Sequence, residues 1–114
     1  MIREKLLHGI NSLVLEELET ANQTFPLFAS NHEAHAVMRE EYEESMEKVD
    51  LVREGLELHW EATKNNCIGI GWLEEMSKNG RMAIAELIQF VAMTEKAILS
   101  ASRRDADGER TENL

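Results

Sequence analysis

The sequence is poor in the residues that cross-link chains or interrupt helices. It contains one cysteine and one proline among 114 residues. The single cysteine, Cys67, excludes an intramolecular disulfide framework and a zinc site built from several cysteines. The single proline, Pro26, leaves most of the chain able to form long helices. Because a chain without disulfides suits a reducing compartment, we expect a cytoplasmic protein.

Basic residues and long apolar runs are also scarce. The chain has 12 Lys and Arg residues against 22 Asp and Glu residues, a formal charge of -10. Proteins that bind duplex nucleic acid need basic side chains to replace counterions, so the composition argues against that class. No run approaches the roughly 18 apolar residues of a membrane span, and the N-terminal segment lacks the apolar centre of a secretory signal. The composition predicts a soluble acidic protein, or one that binds cations.

The abundant residues favour helices. Glu, Leu, Ala, Met and Lys are common, and no segment alternates between apolar and polar residues as a strand would. The sequence predicts an all-α fold, an antiparallel bundle of three to four helices. The length suits one domain, which we place at residues 1–102. The tail, 103–114, has little to bury and is predicted to be disordered.

Local signals predict where the helices end. The first helix should run over residues 3–21 and stop before Pro26, and the apolar residues at 25–28 should fill the core at that corner. Ser30 with Glu33 forms a capping-box pattern, which starts a second helix that reaches about residue 61. Asparagines and glycines predict two breaks. These breaks lie at 65–71 and 79–80, with a short helical turn at 72–76 between them and a last helix over 81–102.

Glutamates gather in the second helix, where HEAHAVMREEYEE covers residues 32–44. At about 100° per residue, Ala34 and later apolar positions define a buried stripe that includes Val49 and Leu56. Glu41 falls inside that stripe, and Glu44 lies at its edge. A buried carboxylate needs a cation, a hydrogen-bond donor or a proton. The pair therefore indicates either a site for a hard cation such as Mg²⁺ or a salt bridge across the core.

The last helix, RMAIAELIQFVAMTEKAILSAS, is apolar around most of its circumference. Such a helix is buried on several sides, by the rest of the fold or by a second subunit, so we expect a homo-oligomer. Glu86 and Gln89 share one side of this helix, and Glu95 lies on the opposite side. Periodicity leaves Glu86 and Glu95 both open as inward-facing carboxylates.

Two segments of the chain resemble a known family. The segments EELETANQTFPLFASNHEAHAVMREEYEE and ELIQFVAMTEK are similar to the pattern of the MazG-like all-α nucleoside triphosphate pyrophosphohydrolases, especially their small phage and prophage-type members. The resemblance covers about residues 16–100. It implies an antiparallel helical core, a homodimer or homotetramer, and a Mg²⁺ cofactor, with Mn²⁺ as a substitute. The implied reaction converts a nucleoside triphosphate to a monophosphate and pyrophosphate.

The resemblance also implies roles for single residues. Family members hold the metal with E-x-x-E on one helix and E-x-x-D on another, so Glu41, Glu44 and Glu86 would be metal ligands and catalytic residues. Glu40, the leading acid of the first motif, is a weaker candidate for substrate binding. Gln89 stands where the family has an aspartate. Its amide oxygen carries no charge, so Gln89 would be a weak ligand and catalysis would be weak.

A few other polar and aromatic residues have two interpretations each. Lys96, where the family often has asparagine, could contact a phosphate oxygen or be an ordinary surface lysine. His32 and His35 are three residues apart, which is not the spacing of H-E-x-x-H. They suit helix capping or nucleotide contact. Trp60 and Trp72 are expected to pack the intervening loop against the core, with base stacking as the alternative.

Three functions are compatible with these features. The first is a Mg²⁺-dependent nucleotide pyrophosphohydrolase. The second is a non-catalytic helical relative that binds a nucleotide or a cation, which the glutamine at position 89 favours. The third is a phage-encoded helical interaction protein unrelated to nucleotides, and only the acidic helices support it.

Overall fold

Three long helices form the fold in the computed structural model, which describes residues 1–108. Helix α1 spans Glu4–Thr24, α2 spans Asn31–Lys64 and α3 spans Ile70–Ala106. Residues 1–108 contain no β-strand. The all-α prediction is therefore confirmed, with three helices. Within this described range, no helix combines the length and apolar character needed to cross a bilayer.

The corner between α1 and α2 follows the predicted local signals. Helix α1 continues about one turn beyond the predicted end, to Thr24, and stops before Pro26. The Ser30 hydroxyl accepts a hydrogen bond of 3.1 Å from the backbone N–H of Glu33. The Glu33 carboxylate in turn accepts one of 2.8 Å from the N–H of Ala29. This reciprocal pair satisfies amides near the start of α2 and confirms the capping prediction.

The connection between α2 and α3 is shorter than predicted. Asn66 and Gly69 adopt positive φ angles of 60° and 67°, and they turn the chain between the two helices. Helix α3 then starts at Ile70, so the predicted second break at 79–80 is wrong. A single glycine inside a helix costs only about 1 kcal/mol, which packing of the flanking turns readily offsets.

The end of α3 also differs from the prediction. The helix reaches Ala106, four residues beyond the predicted end at 102. Arg103 and Arg104 lie in its last turn, where positive charge interacts favourably with the helix dipole. Residues 109–114 lie outside the described part of the chain, so the disorder predicted for them stays a prediction.

The chain divides into two compact units. Unit 1 contains Met1–Glu40 together with the chain from Ile88 onwards. Its buried apolar residues are Val14, Phe28, Ala34 and Ala92. Of the corner residues expected to fill the core, Phe28 does so, whereas Phe25 is 64% exposed.

Unit 2 is a two-helix hairpin, Glu41–Leu87, formed by the second part of α2 and the first part of α3. Its buried positions are small: Ser45, Gly55 and Ala83. Val49 and Leu56, predicted to be buried, are 38% and 59% exposed. A two-helix hairpin buries only the narrow strip of each helix that faces the other, and these two residues lie beside that strip.

Candidate metal centre

Three carboxylates come together in unit 2. Helix α2 supplies Glu41 and Glu44, which are neighbours on the helix surface because they are three residues apart. Helix α3 supplies Glu86. One oxygen from each residue can be chosen so that all three oxygens lie within 4.8 Å of one another. We call these three residues the acidic cluster.

Small residues in the same hairpin allow its two helices to approach. Ser45, next to Glu44, is fully buried, and its hydroxyl donates a hydrogen bond of 2.8 Å to the backbone oxygen of Glu41. Ala83, one turn before Glu86, is also buried. Larger side chains at these two positions would hold the helix axes further apart. The small residues thus help to bring carboxylates from two helices to one place.

The three residues of the acidic cluster differ in how deeply they are buried. Glu41 and Glu86 are half-buried, and Glu44 is exposed. Oxygen Oε2 of Glu41 is shielded from solvent. Three carboxylates this close repel one another, and the repulsion is strongest where water is excluded. A hard cation would remove that repulsion, and carboxylate oxygens are the ligands that Mg²⁺ and Mn²⁺ prefer, so the donor set fits such an ion.

Gln89 has a role that the sequence did not reveal. It lies in unit 1, where its side-chain amide donates a hydrogen bond of 3.4 Å to the carboxylate of Glu17 in α1. An aspartate at this position could not donate that bond and would face Glu17 with a like charge. No sequence pattern predicts this contact, because the two residues are 72 positions apart.

Lys96 is not an ordinary surface lysine. Its side chain is only 3% exposed, and its ammonium lies 5.0 Å from the ring centroid of Phe28 and 5.9 Å from that of Phe25. These distances suit cation–π contacts. Contact with a phosphate would require the Lys96 side chain to leave the two rings.

The remaining candidates lie at the surface. Glu40, Glu95, His32 and His35 are all exposed, and Glu86 rather than Glu95 joins the acidic cluster. The two tryptophans expected to pack the loop are 57% exposed at position 60 and 40% exposed at position 72. Both side chains are thus partly at the surface, and packing of the loop against the core stays a prediction.

Comparison with known proteins adds no relative. No protein-family model, curated protein or solved structure matches the chain. The resemblance to the MazG-like family therefore rests on the two sequence segments within residues 16–100 and stays a prediction.

Proposed function

We propose that the protein is a weak MazG-like nucleotide pyrophosphohydrolase, which splits a nucleoside triphosphate into a monophosphate and pyrophosphate. The observation that carries the proposal is the acidic cluster. Its three carboxylates come from two helices and from the positions that the resemblance assigns to metal ligands.

In this proposal Glu41, Glu44 and Glu86 hold Mg²⁺ or Mn²⁺. When bound, the cation would neutralise charge on the phosphate oxygens and would make a water molecule easier to deprotonate. One carboxylate of the cluster accepts the proton of the attacking water. Glu41 and Glu86 are half-buried, which favours binding of the cation, because electrostatic interactions are stronger where water is partly excluded.

Two weaker roles complete the proposal. Glu40 is exposed on the turn of α2 beside Glu41, where it is accessible to a ligand. Lys96 would contact a phosphate oxygen through its ammonium group, after moving away from Phe25 and Phe28.

A specific observation favours a second candidate, a non-catalytic relative that binds a cation or nucleotide. Gln89 lacks the charge of the family's aspartate, and its amide is engaged with Glu17. Losing one pre-organised polar group at a reacting centre can lower the rate by roughly 10²–10³-fold. The enzyme proposal therefore predicts low pyrophosphohydrolase activity, and the proposal of a non-catalytic relative predicts no such activity.

Pyrophosphate release from a panel of nucleoside triphosphates, with Mg²⁺ or Mn²⁺, separates the two candidates. We expect slow release by the unmodified protein and none by Glu41→Gln. Gln89→Asp should raise the rate, most clearly when combined with Glu17→Gln. The second change removes the like-charge contact that the new aspartate would otherwise make with Glu17.

Glu17→Gln alone is the matched control, and it should leave the rate unchanged. If neither the unmodified protein nor the Gln89→Asp, Glu17→Gln variant releases pyrophosphate with either cation, the enzyme proposal is wrong. Isothermal titration with Mg²⁺ and a non-hydrolysable nucleotide then tests the non-catalytic candidate.

A further inference from the structure

The corner between α1 and α2 forms a groove with the end of α3. Its volume is about 510 Å³, which is within the range of small-molecule sites. Its apolar lining residues are Phe25, Pro26, Leu27, Leu99 and Ala106. Three polar residues complete the lining: Asn22, Ser102 and Arg103. We call it the corner groove, and all of its lining residues belong to unit 1.

The last turns of α3 divide their contacts between two faces. Ser100 and Arg104, one turn apart, hold the backbone of Phe28 through hydrogen bonds of 2.9 Å each. Leu99 and Arg103 each precede one of these residues, so they lie about 100° away around the helix, and they line the groove. The bonds to Phe28 fix the corner against α3. The walls of the groove are therefore formed before a ligand arrives, which lowers the cost of binding.

The polar side chains of the corner groove are available to a ligand. Among residues 1–108, no hydrogen bond or ion pair engages the side chain of Asn22, Ser102 or Arg103. By contrast, the hydroxyls of Thr24 and Ser100 each donate to the backbone oxygen four residues earlier. The groove thus combines apolar walls with a few hydrogen-bond donors that have no other partner in the described chain, as ligand sites commonly do.

Positive charge collects at this corner, although the chain has a net charge of -10. Lys96 is only 3% exposed, and its ammonium lies 5.9 Å from the ring centroid of Phe25, which lines the groove. Arg104 is 7% exposed, and its hydrogen bonds go to uncharged acceptors. Within residues 1–108, neither of these cations nor Arg103 forms an ion pair. Because buried charge without a counter-charge is costly, this corner favours an anion.

Negative groups nearby do not cancel this preference. The carbonyls at the end of α3 act as roughly half a negative charge, against three cations at the corner. Asp105 and Asp107 are exposed, so water and salt screen their charges, whereas Lys96 and Arg104 are buried. Of the described residues that line the groove, none is acidic and one, Arg103, is basic. An anion in the groove therefore meets a net attraction.

We propose that the corner groove binds a small carboxylate that carries an apolar body. The Arg103 guanidinium holds the carboxylate through two parallel hydrogen bonds, the geometry in which these two groups match. The apolar body packs against Leu27 and Leu99. A ligand with several phosphates fits less well, because its charges would lie against apolar walls. The groove shares no residue with the acidic cluster, so this binding is independent of the proposed nucleotide hydrolysis.

NMR titration of the ¹⁵N-labelled protein with octanoate tests the site. We expect saturable shifts of backbone amides within residues 22–27 and 99–106, with a dissociation constant below about 1 mM. Two ligands serve as controls: 1-octanol has the apolar body without the charge, and acetate has the charge without the body. Each control should bind roughly tenfold more weakly or worse, because each lacks one of the two contacts.

Matched substitutions test the two contacts in the protein. Arg103→Gln and Leu99→Ser should each raise the dissociation constant for octanoate by roughly tenfold or more. Arg81→Gln is the control for charge, since it removes the same charge from an exposed position of α3. Ile98→Ser is the control for apolar surface, since Ile98 is the exposed neighbour of Leu99 outside the groove. Both controls should change the dissociation constant by less than about twofold.

Circular dichroism shows whether each variant keeps its helices. If Leu99→Ser loses helix, the comparison of Arg103→Gln with Arg81→Gln still decides. The absence of saturable shifts up to about 10 mM octanoate would overturn the proposal. Equal binding of octanoate and 1-octanol would also overturn it, as would shifts centred outside the groove, or controls that weaken binding as much as the groove variants do.

Discussion

At the scale of single residues, a buried arginine connects the α1–α2 corner to the end of α3. Arg104 donates hydrogen bonds of 2.9 Å to the backbone oxygen of Phe28 and 2.8 Å to the side chain of Asn31. Ser100, one turn earlier, accepts a bond of 2.9 Å from the N–H of Phe28. Both polar groups of the Phe28 backbone are thus satisfied by side chains of α3. This pairing allows the Phe28 ring to be buried without leaving its amide or carbonyl unpaired.

Replacing Arg104 should therefore be costly. We expect Arg104→Ala to lower the free energy of unfolding by about 2–3 kcal/mol, because charged hydrogen bonds are lost and a buried carbonyl is left without its donor. Arg103, its exposed neighbour in the same helical turn, is the matched control, and Arg103→Ala should change stability by no more than about 0.5 kcal/mol. Urea denaturation followed by circular dichroism gives both values. Equal effects of the two substitutions would contradict this role for Arg104.

At the scale of helices, a glycine in α1 and a glycine in α2 differ in the space available for a side chain. Gly9 lies in α1 with open space around its Cα, and no atom would come within 4 Å of an added methyl group beyond its own helix backbone. Gly55 lies where α2 and α3 approach, and its added methyl group would meet Met76 at 2.7 Å. Helix propensity favours alanine at both positions, but packing against Met76 opposes alanine at position 55.

The two glycine-to-alanine substitutions should thus have opposite effects. Gly9→Ala is expected to raise the free energy of unfolding by about 0.5–1 kcal/mol through helix propensity. Gly55→Ala is expected to lower it by about 1 kcal/mol, because Met76 must move to make room. Adding Met76→Ala to Gly55→Ala should cost less than Met76→Ala alone, since the new methyl group then fills space. Measurements at one fixed protein concentration avoid confusion with any change in oligomeric state.

At the scale of the whole molecule, the charge of -10 makes stability depend on cations in two ways. Any salt screens the repulsion among surface carboxylates, whereas a specific site responds to a divalent ion at much lower concentration. A ligand that binds only the folded state stabilises it by about 2.7 kcal/mol at 100 times its dissociation constant. Comparison of MgCl₂ with NaCl at equal ionic strength isolates the specific part.

We predict that Mg²⁺ raises the melting temperature by several degrees more than NaCl does at the same ionic strength. Glu41→Gln should remove this extra increase. It should also raise the melting temperature without Mg²⁺, because one of three mutually repelling carboxylates becomes neutral. Glu47 is an exposed glutamate of the same helix outside the cluster. Glu47→Gln should change neither the Mg²⁺ response nor the melting temperature without Mg²⁺. An equal Mg²⁺ response in all three proteins would mean that the acidic cluster binds no cation.

The sequence by itself determined the features that depend on neighbours within about four residues. Helix propensity predicted an all-α chain, and the Ser30–Glu33 pattern predicted the start of α2. The three-residue spacing of Glu41 and Glu44 was enough to place both side chains on one surface of α2. These features could be predicted because a helical turn brings residues i, i+3 and i+4 together whatever the rest of the chain does.

Only the tertiary structure decided which helix faces meet and what they bury. It brought Glu86 to the two glutamates of α2, enclosed Lys96 and Arg104, and left Val49 and Leu56 exposed. Burial depends on partners distant in sequence, such as Phe28 and Ser100, which are 72 residues apart. A helical period gives the relative directions of side chains on one helix, but not the position of the next helix around it. That position results from the packing of small residues such as Ser45, Gly55 and Ala83, which carry almost no periodic apolar signal in the sequence.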